Sequence, residues 1–329
     1  GVCGIISRRH AVEENVIREM NSYLSKRGPD SSGIFLDKNI GLGHTRLSIQ
    51  DLSSNGHQPM RVKGAVISFN GEVFNFKELK KELEVLGYTF KSDTDTEVVA
   101  TLYNHYGIDF VSRLNGMFAM AIYDEAKQLV YLIRDRYGIK PLYIYTDDNT
   151  IIFSSDLKSI VRQKGCRVTI DSSALKEYFK FLYIRNPRTP YNEIKKMQVG
   201  YYYSVNIKNL EVKKCQYYDI NSKPIDYQQT EEEIVSNIDD LLHDSIAKRM
   251  ISDLEVGSFL SGGVDSSIVT AIASQHTSQR IQTFSIGYKG LNEYFDETKY
   301  ALNVSKQYNT KHHVLSLDFE KTFSEFEEI

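Results

Sequence analysis

Cysteine is scarce in this chain: Cys3, Cys166 and Cys215 are the only three among 329 residues. Three thiols build no disulfide framework, which excludes a small stapled extracellular fold and suits a reducing, cytoplasmic setting. Cys166 and Cys215 read as packing residues. Long apolar runs are missing as well. None approaches the roughly 20 residues that cross a bilayer, and no secretory signal pattern is present, so no membrane partner is expected. Nor does one sign of charge dominate. The 40 Lys and Arg against 43 Asp and Glu leave a net charge of −3, without the basic footprint of a nucleic-acid partner. Internal repeats and low-complexity segments are absent too. What remains is a chain of ordinary composition, 41% hydrophobic, long enough to bury two cores of usual domain size.

Two short segments carry the chemistry. The first is Gly1-Val2-Cys3-Gly4-Ile5-Ile6. A thiol near the amino end is a strong nucleophile, and an α-amino group, titrating at roughly pH 8, can take its proton and pass it to leaving ammonia. A cysteine that opens an apolar strand is also commonly a small buried residue, and taken alone that is the more frequent case. A thiol that hydrolysed an amide would need donors for the oxyanion, a cation for the substrate carboxylate and a carboxylate for its ammonium. Val66 to Asn75 reads as an apolar strand entering a turn at Asn70-Gly71, where the Asn70 amide and the Gly71 N–H would be such donors. Arg46, beside a short apolar strand, suits bidentate carboxylate binding. Asp93 and Asp95 precede a helical pattern, so one of them would otherwise serve as its N-cap.

In this order and spacing, several segments resemble the class II glutamine amidotransferase domain. They are Cys3-Gly4-Ile5, Arg27-Gly28-Pro29-Asp30, Arg46-Leu47-Ser48-Ile49, Asn70-Gly71-Glu72, Asp95-Thr96-Glu97, Asn115-Gly116-Met117-Phe118-Ala119 and the run Arg134 to Tyr143. With the loop Ser261-Gly262-Gly263-Val264-Asp265-Ser266-Ser267, nearly the whole chain resembles the glutamine-hydrolysing asparagine synthetase family. The resemblance implies an α+β N-terminal αββα sandwich of the N-terminal-nucleophile (Ntn) hydrolase kind. It makes Cys3 the nucleophile, Asn70 and the Gly71 N–H the oxyanion hole, and Arg46 the partner of the glutamine α-carboxylate. Glu72 and Asp95 would meet the α-ammonium or fix the loops around it. Leu47, Ser48, Ile49 and Gln50 would line the pocket through main-chain groups, and Arg27 to Asp30 would form a structural corner.

Two departures stand beside that resemblance. Family members expose the cysteine as residue one, whereas Gly1 and Val2 precede it here; if they persist, the glutaminase step would be impaired. Lys26 also replaces a histidine frequent before Arg-Gly-Pro-Asp, a change from which no catalytic consequence follows.

The second segment has physics of its own. Asp253 to Leu260 reads as a strand, and Ser266 to Gln275 as a helix. Between them, adjacent glycines let backbone N–H groups converge on an anion, and the helix points its positive end at the same spot. Ser261, Gly262, Gly263, Asp265 and Ser266 would hold the pyrophosphate of ATP, with Asp265 helping to organise its magnesium. The loop lacks the Gly-Lys-Ser/Thr of a Walker motif, so release of pyrophosphate with AMP transfer is favoured over γ-phosphoryl transfer. A parallel strand from Ile281 to Gly287 follows. By resemblance, main-chain groups of Leu260 and Ile286 would contact adenine. His312 and His313 precede another apolar strand, where neighbours face opposite ways, so no protein-bound metal is expected.

Residues 1–190 therefore read as the amidotransferase domain and 191–228 as closing strands and a linker. Residues 229–329 read as the first part of an incomplete α/β parallel-sheet, PP-loop ATP-pyrophosphatase domain. Helical patterns cover Val12–Leu24, Phe76–Leu86, Glu97–Tyr106 and Glu231–Met250. The family's later Ser-Gly-Glu-Gly-x-Asp-Glu segment does not occur before Ile329, so the resemblance implies a synthetase half cut off part-way. The reaction implied takes glutamine, ATP with Mg2+ and an acidic acceptor, aspartate by default, to glutamate, AMP, pyrophosphate and an amide, with no prosthetic group. Other readings stay open: a non-catalytic or glutaminase-only glutamine-binding fragment, or an acceptor such as a sugar acid. A homodimer is compatible with either.

Overall fold

The computed structural model describes residues 1–220, 228–289 and 296–318. The chain divides into two compact units, Gly1–Ser222 and Lys223–Ile329. The first runs β1 (Val2–Ser7), α1 (Glu14–Tyr23), β2 (Ser31–Asp37), β3 (Ile40–Arg46), β4 (Met60–Val62), β5 (Ala65–Val73), α2 (Phe76–Val85) and α3 (Asp95–Tyr106). It continues β6 (Gly116–Asp124), β7 (Leu129–Arg134), β8 (Tyr143–Thr146), β9 (Thr150–Ser154), α4 (Leu157–Val161), α5 (Ser172–Phe181), β10 (Ile194–Lys196), β11 (Tyr201–Asn206) and β12 (Val212–Gln216). The strands form two six-stranded antiparallel sheets, ordered β10-β8-β9-β1-β3-β2 and β12-β11-β7-β6-β5-β4.

Side chains alternate across a strand, so β1 serves two apolar layers at once. Val2 and Ile6 enter the core between the sheets, with Leu42, Val66, Ala121 and Phe153. Cys3 and Ile5 enter the layer beneath α1, among Ile17, Met20 and Leu24. The spacing of those three places them on one helical face, and that face covers the first sheet. On the other side α3 packs against β4 and β5, with α2 against α3. The layering is helix, sheet, sheet, helix.

Two local expectations are corrected. Asn70-Gly71 is not a turn: both lie within β5, Asn70 opposite Ala119 and Gly71 opposite Phe118. Pairing with β6 runs on to Val73, and a Cβ on Gly71 would stand 2.2 Å from the Met117 carbonyl oxygen. The glycine is there for that close approach, not for a reversal. Nor does an aspartate cap α3. The Thr94 hydroxyl accepts the Glu97 N–H at 3.2 Å, which leaves Asp95 free to point elsewhere.

Residues 191–220 contribute β10, β11 and β12 to the first unit's sheets, while Asn221 to Pro224, where a linker is expected, lie outside the described residues. The second unit contains α6 (Glu231–Arg249), β13 (Gly257–Phe259), α7 (Val264–Gln275), β14 (Gln282–Lys289), α8 (Thr298–Gln307) and β15 (Lys311–Asp318). Its three strands are parallel, in the order β13-β14-β15. Thr230 and Glu233 close a capping box on α6. Among the described residues, Leu242, Ile246 and Met250 at its carboxyl-terminal end meet Ile272, Ala273 and Ile281, while Ile234, Ile238 and Leu241 are exposed. Residues 290–295 and 319–329 lie outside the described residues. Among the described residues no helix is long and apolar enough to cross a membrane.

Candidate functional site

The side chain of Cys3 does not fit the role expected of it. It is fully buried, its Sγ donates to Asn21 Oδ1 at 3.3 Å, and burial pushes its thiol up to about 12. Asn21 is itself held by donation to the Gly33 carbonyl at 3.0 Å. A Cβ on Gly43 would come within 2.6 Å of the sulfur, so β3 is stripped bare to make room for it. A thiol so placed packs the helix-side layer and is neither exposed nor ionised. The correction follows from strand alternation: the residue two places along β1 shares its helix-facing side. Cys166 joins the same layer, and Cys215 lies on β12 opposite Tyr202.

The remaining expected residues of the first unit do gather. Arg46 ends β3, and its guanidinium donates to the carbonyls of Ser53 (3.0 Å), Gln50 (3.1 Å) and Asp51 (2.6 Å). The loop after β3 thus wraps its own arginine, and further N–H groups of the fork remain for a ligand. Asp30 secures the same loop: its N–H donates to the Arg46 carbonyl at 3.0 Å and its carboxylate accepts the Ser48 N–H at 2.7 Å. The Arg27–Asp30 corner is therefore a brace for the arginine. Leu47 is exposed, and Ser48, Ile49 and Gln50 are half-buried.

Glu72 and Asp95 complete the group. Glu72 accepts from Gln50 Nε2 at 2.8 Å, and buried Asp95 accepts the Val73 N–H at 2.9 Å. Burial raises both carboxyls well above their ordinary range. The charge of Asp95 raises Glu72 further, while Lys140 opposes the rise. Beside them, Asn70 Nδ2 and Gln50 Oε1 are buried without a hydrogen-bond partner. Orphaned buried amides are rare, and a ligand with an oxygen and an ammonium would satisfy both.

One contributor carried no role in the sequence reading. Asp135, fully buried, accepts the N–H groups of Phe118 (3.2 Å), Tyr137, Ile139 and Lys140 (each 3.0 Å). Arg134 donates to the carbonyls of Gly138 (2.8 Å), Lys140 (3.0 Å) and Met197 (2.6 Å). Both peptide groups of Lys140 are thereby clamped. Its ammonium acts on Glu72 and, with Arg27, on the Gly1 end of β1. The available signal was the charged Arg134-Asp135-Arg136 run immediately before a Tyr-Gly turn.

In the second unit the Ser261–Ser267 loop joins β13 to α7. Gly262 has φ of +87°, and a Cβ there would stand 2.5 Å from the Tyr300 and Ala301 backbone, so only glycine fits. Gly263 is the N-cap of α7, which starts two residues before Ser266. Ser261 Oγ accepts the Gly263 N–H at 3.3 Å and lies 3.0 Å from Ser266 Oγ, while Ser267 Oγ donates to the Gly263 carbonyl at 2.7 Å. Asp265 stands in the first turn of the helix. Leu260, just before the loop, donates its N–H to the Phe284 carbonyl at 2.8 Å and its carbonyl accepts from the Ser285 hydroxyl, so both of its main-chain polar groups are already engaged; Ile286 pairs with Leu315 within the sheet. His312 and His313 turn to opposite sides, toward Ser285 and Gln282 respectively. Among the described residues no cluster is set to hold a metal ion.

Comparison with known proteins agrees with this division. A family profile described as glutamine amidotransferase domain matches residues 1–218, and one described as asparagine synthase matches residues 237–329. Two relatives from Bacillus subtilis (strain 168) carry the name asparagine synthetase [glutamine-hydrolyzing]. Number 1 is 39% identical over 85% of this chain and 44% of its own length, and number 3 is 31% identical over 95% of this chain and 54% of its own length. The chain spans about half the length of these relatives. Among solved structures, a glutamine phosphoribosylpyrophosphate amidotransferase from B. subtilis, complexed with ADP and GMP, superposes with a TM-score of 0.50 at 16% identity, over 95% of this chain and 65% of that one. At that identity the likeness concerns the fold alone.

Proposed function

The chain belongs to the glutamine amidotransferase domain family, and from that premise we propose that its first unit binds glutamine and releases ammonia from it. Its second unit would handle ATP for an amide-forming ligase, asparagine synthesis being the reaction that the relatives' names suggest. The observation that carries the reading is the unpartnered Asn70 Nδ2 beside Arg46, Glu72 and Asp95. In this reading Arg46 takes the α-carboxylate of glutamine through its remaining N–H groups. Glu72, Asp95 and the orphan Gln50 Oε1 offer acceptors to the three protons of the α-ammonium. The side-chain carbonyl then lies toward Asn70 Nδ2 and the Gly71 N–H, which would stabilise the oxyanion of the tetrahedral intermediate.

Cys3 does not supply the attack in this arrangement. We place the attack at the Gly1 end of β1, where the Thr45 N–H donates to the Gly1 carbonyl at 2.9 Å and Arg27 and Lys140 act together; there a water molecule would add to the amide carbon, the C–N bond would break, and a proton of that water would leave with the ammonia. On the second unit, the Ser261–Ser267 loop would take the pyrophosphate of ATP, which enters as its Mg2+ complex, with Asp265 toward the cation. Transfer of AMP to an acidic acceptor releases pyrophosphate, and ammonia then displaces AMP to leave the amide.

The test supplies purified protein with glutamine, aspartate, ATP and Mg2+ and assays glutamate, pyrophosphate and asparagine separately, with glutamine binding measured by calorimetry. Glutamine binding that disappears in Arg46→Ala and Asp95→Asn is expected. An Asn70→Ala protein that released glutamate at the parent rate, instead of about a hundredfold slower, would sink the oxyanion assignment.

A further inference from the structure

A row of buried polar side chains crosses the second unit's sheet directly beneath its glycine loop. The Ser285 hydroxyl donates to the Leu260 carbonyl, one residue before Ser261. Ser285 Oγ lies 3.3 Å from His312 Nε2, and His312 Nδ1 lies 3.0 Å from Thr283 Oγ1. Thr283 Oγ1 is 2.7 Å from Thr310 Oγ1, and Thr310 donates to Ser305 Oγ of α8 at 2.9 Å. Ser285, Thr283, Thr310 and Ser305 are all buried, as is Leu260. The row therefore starts at the root of the loop and ends on α8. The loop touches α8 again at Gly262, whose absent Cβ leaves it pressed on the Tyr300–Ala301 backbone.

Proton bookkeeping fixes one part of this row. A hydroxyl has a single proton, and that of Ser285 is committed to the Leu260 carbonyl. Toward His312, Ser285 can only accept, so Nε2 carries a proton. An apolar side chain at 312 would leave Ser285 short of a donor, and the hydroxyl could then turn away from Leu260. We propose that His312 is a positioning residue for the Ser261–Ser267 loop: its Nε2–H holds Ser285, and Ser285 holds the Leu260 carbonyl, so that the backbone N–H groups after it converge on a pyrophosphate. The proposal rests on the reading of that loop as a pyrophosphate site. His313, on the opposite side, bonds Gln282 Oε1 at 2.7 Å and stacks on Phe284, and so serves as an internal control.

The experiment measures binding of inorganic pyrophosphate and of Mg-ATP to the whole chain by calorimetry, with amide hydrogen exchange over 260–267 read without ligand. His312→Leu and Ser285→Ala should each weaken binding on the order of tenfold and speed exchange at the loop, and the double variant should be no worse than either single one. His312→Gln, which keeps an N–H donor, should restore binding to within about threefold, and His313→Gln should change nothing. Equal urea midpoints for the Leu and Gln variants would separate positioning from general stability. Loop exchange unchanged in His312→Leu, or additive losses in the double variant, would overturn the proposal. Parent protein that binds neither probe would refute the pyrophosphate reading instead, while the exchange data still decide whether His312 holds the loop.

Discussion

Gln50 Nε2 donates to Glu72 Oε2 at 2.8 Å, which ties the loop after β3 to the strand that carries Asn70. With Glu72 ionised, the bond also fixes which way the Gln50 amide points, because a flipped amide would set oxygen against carboxylate. Its Oε1 is consequently left buried without a hydrogen-bond partner, where the proposed reading puts the α-ammonium. Gln50→Ala should weaken glutamine binding on the order of tenfold, as expected for one hydrogen bond to a charged group. Gln50→Glu should weaken it further by crowding a third carboxylate beside Glu72 and Asp95. Calorimetric titration with glutamine checks both, and a Gln50→Glu protein that binds as well as the parent would contradict the arrangement.

Cys3 is expected to be dispensable for glutamine binding. Cys3→Ala should lower the urea midpoint by the equivalent of about 1 kcal/mol, since it removes one small buried group, and leave the glutamine affinity unchanged. Under native conditions at neutral pH the Cys3 thiol should resist alkylation until the protein is unfolded, because it is buried and its ionisation is suppressed. Mass-spectrometric mapping of iodoacetamide adducts reads this directly. Rapid native labelling at Cys3 would contradict the packing role.

Glu72 and Asp95 make a prediction about pH. Both carboxyls lie above their unfolded values, so the folded protein binds more protons than the unfolded chain between the ordinary carboxylate range and the raised one. Stability is then greatest on the acid side of that window and declines as pH rises through it. Glutamine binding should move the opposite way, strengthening with pH as the pair ionises to meet the α-ammonium. Glu72→Gln should flatten the stability decline between about pH 5 and pH 8 while weakening glutamine. Urea melts across that range are the measurement, and a decline just as steep in Glu72→Gln would contradict it.

Asp135 should be among the costliest residues to remove. Asp135→Ala would strip four backbone N–H groups of their acceptor, a loss of at least about 3 kcal/mol. Asp135→Asn keeps one acceptor oxygen and should fall between. Beyond stability, either change should release Lys140 and weaken glutamine binding. Parent-like stability in Asp135→Ala would show that water replaces the carboxylate, against its complete burial.

The sequence was most legible where chemistry and pattern coincide. Strand and helix periodicity located α1, α2 and β14 to within two residues, and the Gly-Gly loop sits between strand and helix as its composition requires. Arg46, Glu72 and Asp95 could be named because the family resemblance implied a zwitterionic amino acid whose charges theirs would meet. Two things resisted. Asn-Gly is the strongest local signal for a turn, yet long-range pairing of β5 with β6 overrides it. Which face of β1 carries Cys3 depends on where helix α1 packs, a tertiary fact that two preceding residues cannot encode. Asp135 escaped for a related reason: its acceptors' partners include Phe118 on another strand.

That Asn70 belongs to a strand and not to a turn has a consequence for rate. A turn residue can shift its backbone as charge develops on a substrate, and the shift must be completed during the reaction. Asn70 stands opposite Ala119 in a ladder that continues three residues beyond it, with its neighbour Gly71 against the Met117 carbonyl. Its backbone is therefore fixed before any substrate arrives, with Nδ2 buried beside the strand. Whatever stabilisation it would give a negative oxygen in the proposed reaction then needs no backbone rearrangement at the moment of bond-making.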